Sequence, residues 1–265
     1  MAEQTLFEFA SGNSPLLISM PHAGTFIPED IAIRMTDSAK RLPDTDWYVH
    51  QLYDFSSELS VSTLKANYSR YVVDLNRSPD GVSLYPGQSV TEVCPTTLFN
   101  DEAIYLPSGK PNEDEVSQRI EHYWQPYHDQ IRRELQRMRE KYGYALLLDA
   151  HSIKSHVPRF FEGQLPDFNW GSGNGSSCDA SLSQNLLNRT LENSGYTSVL
   201  NGRFKGGYIT RSNGNPAENI HAIQLELSQA TYLHDEETFQ IDPVKMAALQ
   251  NKLKELIDEL LHQFQ

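Results

Sequence analysis

Three apolar runs in this chain each close on a side chain that can bind a metal or move a proton: LLISMPH on His22, YALLLDAH on His151 and AIQLE on Glu226. Uninterrupted apolar stretches of this kind read as strands buried on both faces of a sheet. Ligands of open α/β folds gather at the carboxyl ends of such strands, so segments far apart in the chain are expected to converge on one hydrolytic metal site. Neutral imidazole is a good zinc ligand, and catalytic zinc takes three protein ligands while keeping one position for water. His22 precedes Ala23 and Gly24, which lets its ring emerge from a tight turn among small neighbours. His151, in the run Asp149, Ala150, His151, Ser152, repeats that strand-end placement, and Asp149 is placed to accept a hydrogen bond from an imidazole. Glu226 lies on an otherwise apolar strand, where an unpaired carboxylate is costly to bury, and a general-base role follows.

A third ligand should be an oxygen or nitrogen donor, and the run Asp44, Thr45, Asp46 at a helix start is the nearest candidate cluster. Asp44 is expected to cap the helix and Asp46 to bind the metal; Glu29 and His221 are weaker alternatives in ordinary polar contexts. Cations for an anionic substrate come from two places. RYVVDLNR ends on Asn76 and Arg77, and GRFKGGYITR supplies Arg203, Lys205 and Arg211 around two glycines that let backbone approach a ligand. Arginine suits carboxylates because its planar fork donates two parallel hydrogen bonds.

The elements that must position these residues alternate in type. Strands are expected at 16–20, 61–66, 70–75, 144–149, 197–200 and 222–228, with helices between them, which predicts a mainly parallel or mixed sheet covered on both faces. A helix is expected over 45–59, another from Asp179 and a last one from Asp242. Apolar positions every three or four residues between Glu115 and Tyr142 predict a long amphipathic helix, kinked or divided by Pro126. Two stretches poor in pattern, 78–111 and 154–177, read as lids or pocket walls. One domain spanning residues 1–265 is the simplest organisation for this length.

Composition narrows the function. Lys and Arg number 22 against 35 Asp and Glu, a formal net charge of −13, and there is no basic stripe of the kind nucleic acid requires. Cys94 and Cys178 are far apart and form no Cys-x-x-Cys pair, which argues against a zinc knuckle or disulfide scaffold and favours a reducing cytoplasm. No stretch approaches the roughly 20 apolar residues of a membrane span, and the first residues carry no signal-peptide pattern. The Gly-x-Ser-x-Gly elbow, the P-loop, the His-Glu-x-x-His helix and the dinucleotide fingerprint are all missing.

Taken together, PHAGTFIP, LPDTDWYV, SRYVVDLNR, DAHS, GRFKGGYITR and HAIQLELSQATYL resemble the N-formylglutamate amidohydrolase family of histidine degradation over about residues 15–235. The resemblance implies a three-layer α/β/α sandwich with a central mixed sheet, similar to zinc carboxypeptidases and aspartoacylases within the phosphorylase/hydrolase-like folds. It implies hydrolysis of N-formyl-L-glutamate to L-glutamate and formate, with Zn2+ or another divalent metal on His22 and His151 and with Glu226 as the catalytic glutamate. Asn76 and Arg77 match the pair that grips a substrate carboxylate in the related peptidases. Where the wider superfamily has a ligand glutamate three residues after its first histidine, this chain has Thr25, which leaves the third ligand open among Asp46, Asp44, Glu29 and His221, with Asp46 the first choice. Arg77 and Arg211 are expected to hold the two substrate carboxylates. A deacylase or carboxypeptidase acting on another N-acyl amino acid or peptide is the alternative, and a non-enzymatic binder of acidic metabolites a more distant one. The expected partner is the small-molecule substrate, with neither nucleic acid nor membrane.

Overall fold

The computed structural model describes residues 4–82 and 90–263. Its strands are β1 (Phe7–Ala10), β2 (Leu16–Met20), β3 (Ser62–Ala66), β4 (Ala145–Ile153), β5 (Phe168–Gly171), β6 (Ser198–Leu200), β7 (Ile220–Ser228), β8 (Leu233–Asp235) and β9 (Gln240–Ile241). The first seven form one sheet in the order β1-β3-β2-β4-β7-β5-β6, and β8 pairs with β9. Strands β3, β2, β4 and β7 are mutually parallel; β1 joins β3, and β5 joins β7, antiparallel. The sheet is therefore mixed, as expected.

The helices are α1 (Glu29–Ala32), α2 (Asp37–Lys40), α3 (Val49–Leu52), α4 (Glu113–Arg119), α5 (Gln125–Tyr142), α6 (Ala180–Leu191), α7 (Tyr208–Asn213) and α8 (Pro243–His262). They make two outer layers. Alternate residues of the central strands, among them Leu16, Ile18, Leu146, Leu148, Ile223 and Leu225, pack against α3, α6 and α8. The intervening Leu17, Leu147 and Ala222 pack with Leu64 against α5 and α7. Cover on both faces explains why every residue of β2 and β4 is buried and why their sequences begin as apolar runs, with polar side chains only towards their carboxyl ends. Asp179 and Asp242 cap α6 and α8 as expected, each accepting a backbone N–H of the first turn.

Four departures have physical causes. The 70–75 segment is not a strand: Val72 N donates to Ser69 O, Asp74 N to Val93 O and Arg77 N to Asp74 O, so its amides serve turns and a loop. The 45–59 helix shrinks to α3 and a 3-10 turn over Asp54–Ser57, because Tyr48 takes a left-handed conformation with φ of 60°. The 154–177 stretch contains β5, whose antiparallel ladder with β7 carries no apolar alternation in the surrounding Gly/Ser-rich sequence. Between α4 and α5, a π turn over Ile120–Trp124 absorbs Pro126 within a continuous helix that is not split. Of the 78–111 stretch, residues 83–89 lie outside the described residues. Among the described residues no helix is long and apolar enough to cross a membrane, and both cysteines are free and buried.

Candidate active site

Three segments meet at the carboxyl end of the parallel strands. His22 follows β2 by two residues, and its carbonyl accepts the Asp46 N–H (3.1 Å), which ties the 42–48 segment beside it. His151 lies on β4 directly opposite Glu226 on β7 in a parallel ladder, so both side chains leave the sheet on the same face. Asp46 Oδ2 is 3.0 Å from His151 Nδ1 and 3.8 Å from His22 Nδ1. One donor atom from each of the three residues fits within 4.8 Å of the others, and all three side chains are buried. Asp44 and Asp46 therefore divide differently from expectation: Asp44 caps no helix but accepts the Phe99 N–H (3.0 Å) through its carboxylate. Glu29 is exposed on α1, and His221 accepts the Asp179 N–H at the far end of β7; neither joins the cluster.

The far side of each imidazole faces a carboxylate. His22 Nε2 lies 2.8 Å from Asp74 Oδ1, and His151 Nε2 lies 3.1 Å from Asp149 Oδ1. Carboxylates in this position fix ring orientation and raise the basicity of the other nitrogen, which suits both Nδ1 atoms as metal donors. Arg70 is buried in the same network, 2.6 Å from Asp74 Oδ2 and 3.7 Å from Asp46 Oδ1, with its guanidinium 4.8 Å from the Phe99 ring centroid. Burial disfavours a charged Asp74, yet His22, Arg70 and Arg77 together hold its carboxyl well below the usual range. Burial also lowers the pKa of His22, helped by Arg70. For His151 the burial effect is overcome by Asp149 and Asp46, which raise it. Glu226, 7% exposed, is pushed up to about 8 by burial, against the opposing charge of His151.

His22, Arg70, His151 and Glu226 line a cleft together with Asn76, Arg77, Phe99, Ser152, Phe160, Arg203, Phe204 and Gln224. Of the expected substrate-binding cations, Arg77 and Arg203 are in its wall, whereas Lys205 and Arg211 are not. Arg211 turns back on its own loop, its Nε donating to Gly206 O (2.8 Å). The Arg203 guanidinium lies 5.5 Å from the ring centroids of Phe160 and Phe204, and its Nε donates to Phe160 O (2.6 Å). Asn76 reaches the cleft, but its amide is already engaged. Nδ2 donates to Asp149 Oδ2 (3.1 Å) and lies 2.9 Å from His151 Nε2, while Oδ1 accepts the Ile209 N–H (2.8 Å). Its place is to brace His151 and Asp149.

Arg70, Asp74 and Gln224 were not singled out from sequence. The first two sit four residues apart inside SRYVVDLNR, a spacing that brings side chains together in a turn and separates them along a strand. Gln224 accepts the Gly207 N–H (2.7 Å) and approaches Glu226 Oε2 at 3.5 Å, linking the 202–211 loop to the glutamate.

A profile of the family described as N-formylglutamate amidohydrolase matches residues 14–233. An N-formylglutamate deformylase of Pseudomonas putida is 48% identical over 256 residues, covering 97% of this chain and 96% of that protein. Its counterpart in Pseudomonas aeruginosa is 45% identical with the same coverage. The crystal structure of an N-formylglutamate amidohydrolase from Ralstonia eutropha JMP134 superposes with a TM-score of 0.82 at 25% identity over 97% of both chains. A protein of Agrobacterium tumefaciens shares the fold at a TM-score of 0.73 and 18% identity, over 99% of this chain and 97% of its own. With relatives this similar along nearly its whole length, and with buried imidazoles and carboxylates gathered at the strand ends, this chain belongs to the N-formylglutamate amidohydrolase family.

Proposed function

We propose that the protein hydrolyses the formamide bond of N-formyl-L-glutamate, releasing L-glutamate and formate, and that His22 Nδ1, Asp46 Oδ2 and His151 Nδ1 hold a divalent metal ion. The carrying observation is the meeting of these three buried donors where His22 and His151 share the wall of a cleft with a buried glutamate, in a chain whose relatives bear the deformylase name. The donor set of two imidazoles and one carboxylate is that of a catalytic zinc site with an open position. Asp74 and Asp149 behind the imidazoles support the same assignment. Such an ion, when bound, supplies Lewis acidity for the amide carbonyl and acidifies the attacking water.

The remaining work falls to the chain's own side chains. Glu226 takes the proton of the attacking water and returns it to the departing glutamate nitrogen; an acid-base group whose pKa lies near working pH does both well. Arg77 and Arg203 take the two substrate carboxylates, in place of the Arg77 and Arg211 pair expected from sequence. Arg70, held protonated by Asp74, Asp46 and Asp44 despite its burial, places a fixed positive charge beside His22. Phe99, Phe160 and Phe204 shield these charges from water and so strengthen them.

The test is release of free amine from N-formyl-L-glutamate by the purified protein, compared with N-acetylglutamate, N-acetylaspartate and short peptides, before and after chelation. Turnover of the formyl compound that is lost with chelator and restored by Zn2+ is expected. Turnover of peptides alone removes the substrate assignment, and full activity in chelator removes the metal.

A further inference from the structure

The backbone that presents Asn76 and Arg77 belongs to neither helix nor strand, so no regular ladder supplies donors to its carbonyl groups. Three consecutive carbonyls find them in one place. His128 Nε2 donates to Leu75 O (2.8 Å), Trp124 Nε1 donates to Arg77 O (3.0 Å), and Asn76 O accepts both Tyr208 N (3.3 Å) and Arg77 Nη1 (3.3 Å), whose side chain also donates from Nε to Thr91 O (3.1 Å). The Trp124 and His128 rings stack at 3.6 Å between centroids with planes 23° apart, and the Tyr208 ring closes the group at 5.3 and 5.4 Å. Upstream, Arg119 Nη1 donates to Val72 O (3.0 Å), so a single helix touches the segment at Arg119, Trp124 and His128. A spacing of five residues turns about 140° away from the starting face in an α-helix. The π turn over Ile120–Trp124, with its i→i+5 hydrogen bonding, brings Trp124 back to that face.

We infer that the π turn with its Trp124–His128 stack is a positioning device for Arg77: it holds the Leu75–Arg77 backbone so that the Arg77 guanidinium meets a substrate carboxylate. Trp124 and His128 are 3% and 1% exposed and do not line the cleft, so they act through the segment they hold. The carbonyl of Leu75 only accepts, which fixes the proton of His128 on Nε2; burial keeps the ring neutral, with its pKa pushed down to about 3. This role rests on the reading of Arg77 as a substrate-binding residue.

The experiment is a double-mutant cycle of Trp124→Phe and Arg77→Ala in the metal-loaded enzyme, read as KM and kcat for N-formyl-L-glutamate alongside Tm. Phenylalanine keeps a ring against His128 and removes the donor. Trp124→Phe is expected to raise KM about fivefold, the factor set by one lost hydrogen bond between neutral partners, with kcat within about twofold. In the Arg77→Ala background that increase should vanish. A lower Tm with KM unchanged, or the same KM increase with Arg77 absent, overturns the positioning role while leaving Arg77 in place. If Arg77→Ala itself leaves KM unchanged, the proposal falls together with the reading of Arg77. Should Trp124→Phe fail to fold, His128→Leu enters the same cycle with the same expected and overturning results.

Discussion

Gly207 offers a sharp test of how tightly the site is built. An alanine there needs no unusual backbone angle, since Gly207 has φ of −85°, so the effect is purely one of space. Its methyl carbon would lie 2.4 Å from Asn76 Nδ2 and 2.5 Å from both Cγ and Oδ1, whereas ordinary contact begins at 3.4 Å. The Asn76 amide would have to retreat by about 1 Å. Its bonds to the Ile209 N–H and Asp149 Oδ2, now 2.8 and 3.1 Å, and its 2.9 Å contact with His151 Nε2 cannot all survive such a move. Each buried partner left unsatisfied costs about 1–3 kcal/mol, so Gly207→Ala should lose roughly 2–4 kcal/mol of stability after partial relaxation. Displacement of His151 by a comparable amount should lower kcat/KM about 100-fold. Chemical denaturation and formate release measure the two quantities on one preparation. A Gly207→Ala enzyme with wild-type kcat/KM would refute the claim that Asn76 braces His151.

Calorimetric zinc titration should show His22→Ala, His151→Ala and Asp46→Asn each losing most metal affinity, and Asp74→Asn losing about 10–100-fold because it only backs His22; equal affinity in Asp46→Asn and wild type would return the third ligand to the open. Glu226→Gln should keep its metal and lose about 100-fold or more in kcat, the usual contribution of a general base. The same variant tests the burial of Glu226: a folded-state pKa of about 8, above an unfolded value near ~4.3, means stability present below the unfolded value and lost as pH climbs through the folded one. In chelator-treated protein the Tm advantage of Glu226→Gln over wild type should therefore widen between about pH 5 and about pH 9, and a pH-independent difference would contradict the shift. Arg203→Ala should raise KM for N-formylglutamate about tenfold or more, the scale of a lost charge-assisted hydrogen bond, and should leave N-formylalanine unaffected if Arg203 takes the side-chain carboxylate.

The strand-end residues were legible in the sequence because burial on both faces leaves no alternative to apolar composition, and a polar side chain closing such a run stands out. His22, His151 and Glu226 were visible for that reason, and the same logic located β2, β4 and β7. Asp46 was legible only as one of two nearby aspartates, since its selection depends on a backbone bond to His22 that no local pattern announces. The 70–75 run was misread as a strand because its valines are buried like strand residues while its amides serve turns; that misreading hid the Arg70–Asp74 pair. From sequence Arg211 was preferred to Arg203 and Lys205 as the partner of Arg77, and only the path of the glycine-containing segment brings Arg203 rather than Arg211 to the cleft.

The pairing of His151 with Glu226 on adjacent central strands has a consequence for how this enzyme can change. Their separation is set by the rungs of the sheet, with neighbours hydrogen-bonded on either side, and a slip of one strand by one residue would turn its member of the pair to the other face. The cleft-lining cations Arg70, Arg77 and Arg203, by contrast, ride on the 70–77 and 202–207 connections, which contribute no strand to the sheet. Mutation can therefore remodel those connections while the His151–Glu226 geometry stays where the sheet puts it. Descendants with new substrates should differ there and keep the two central strands intact.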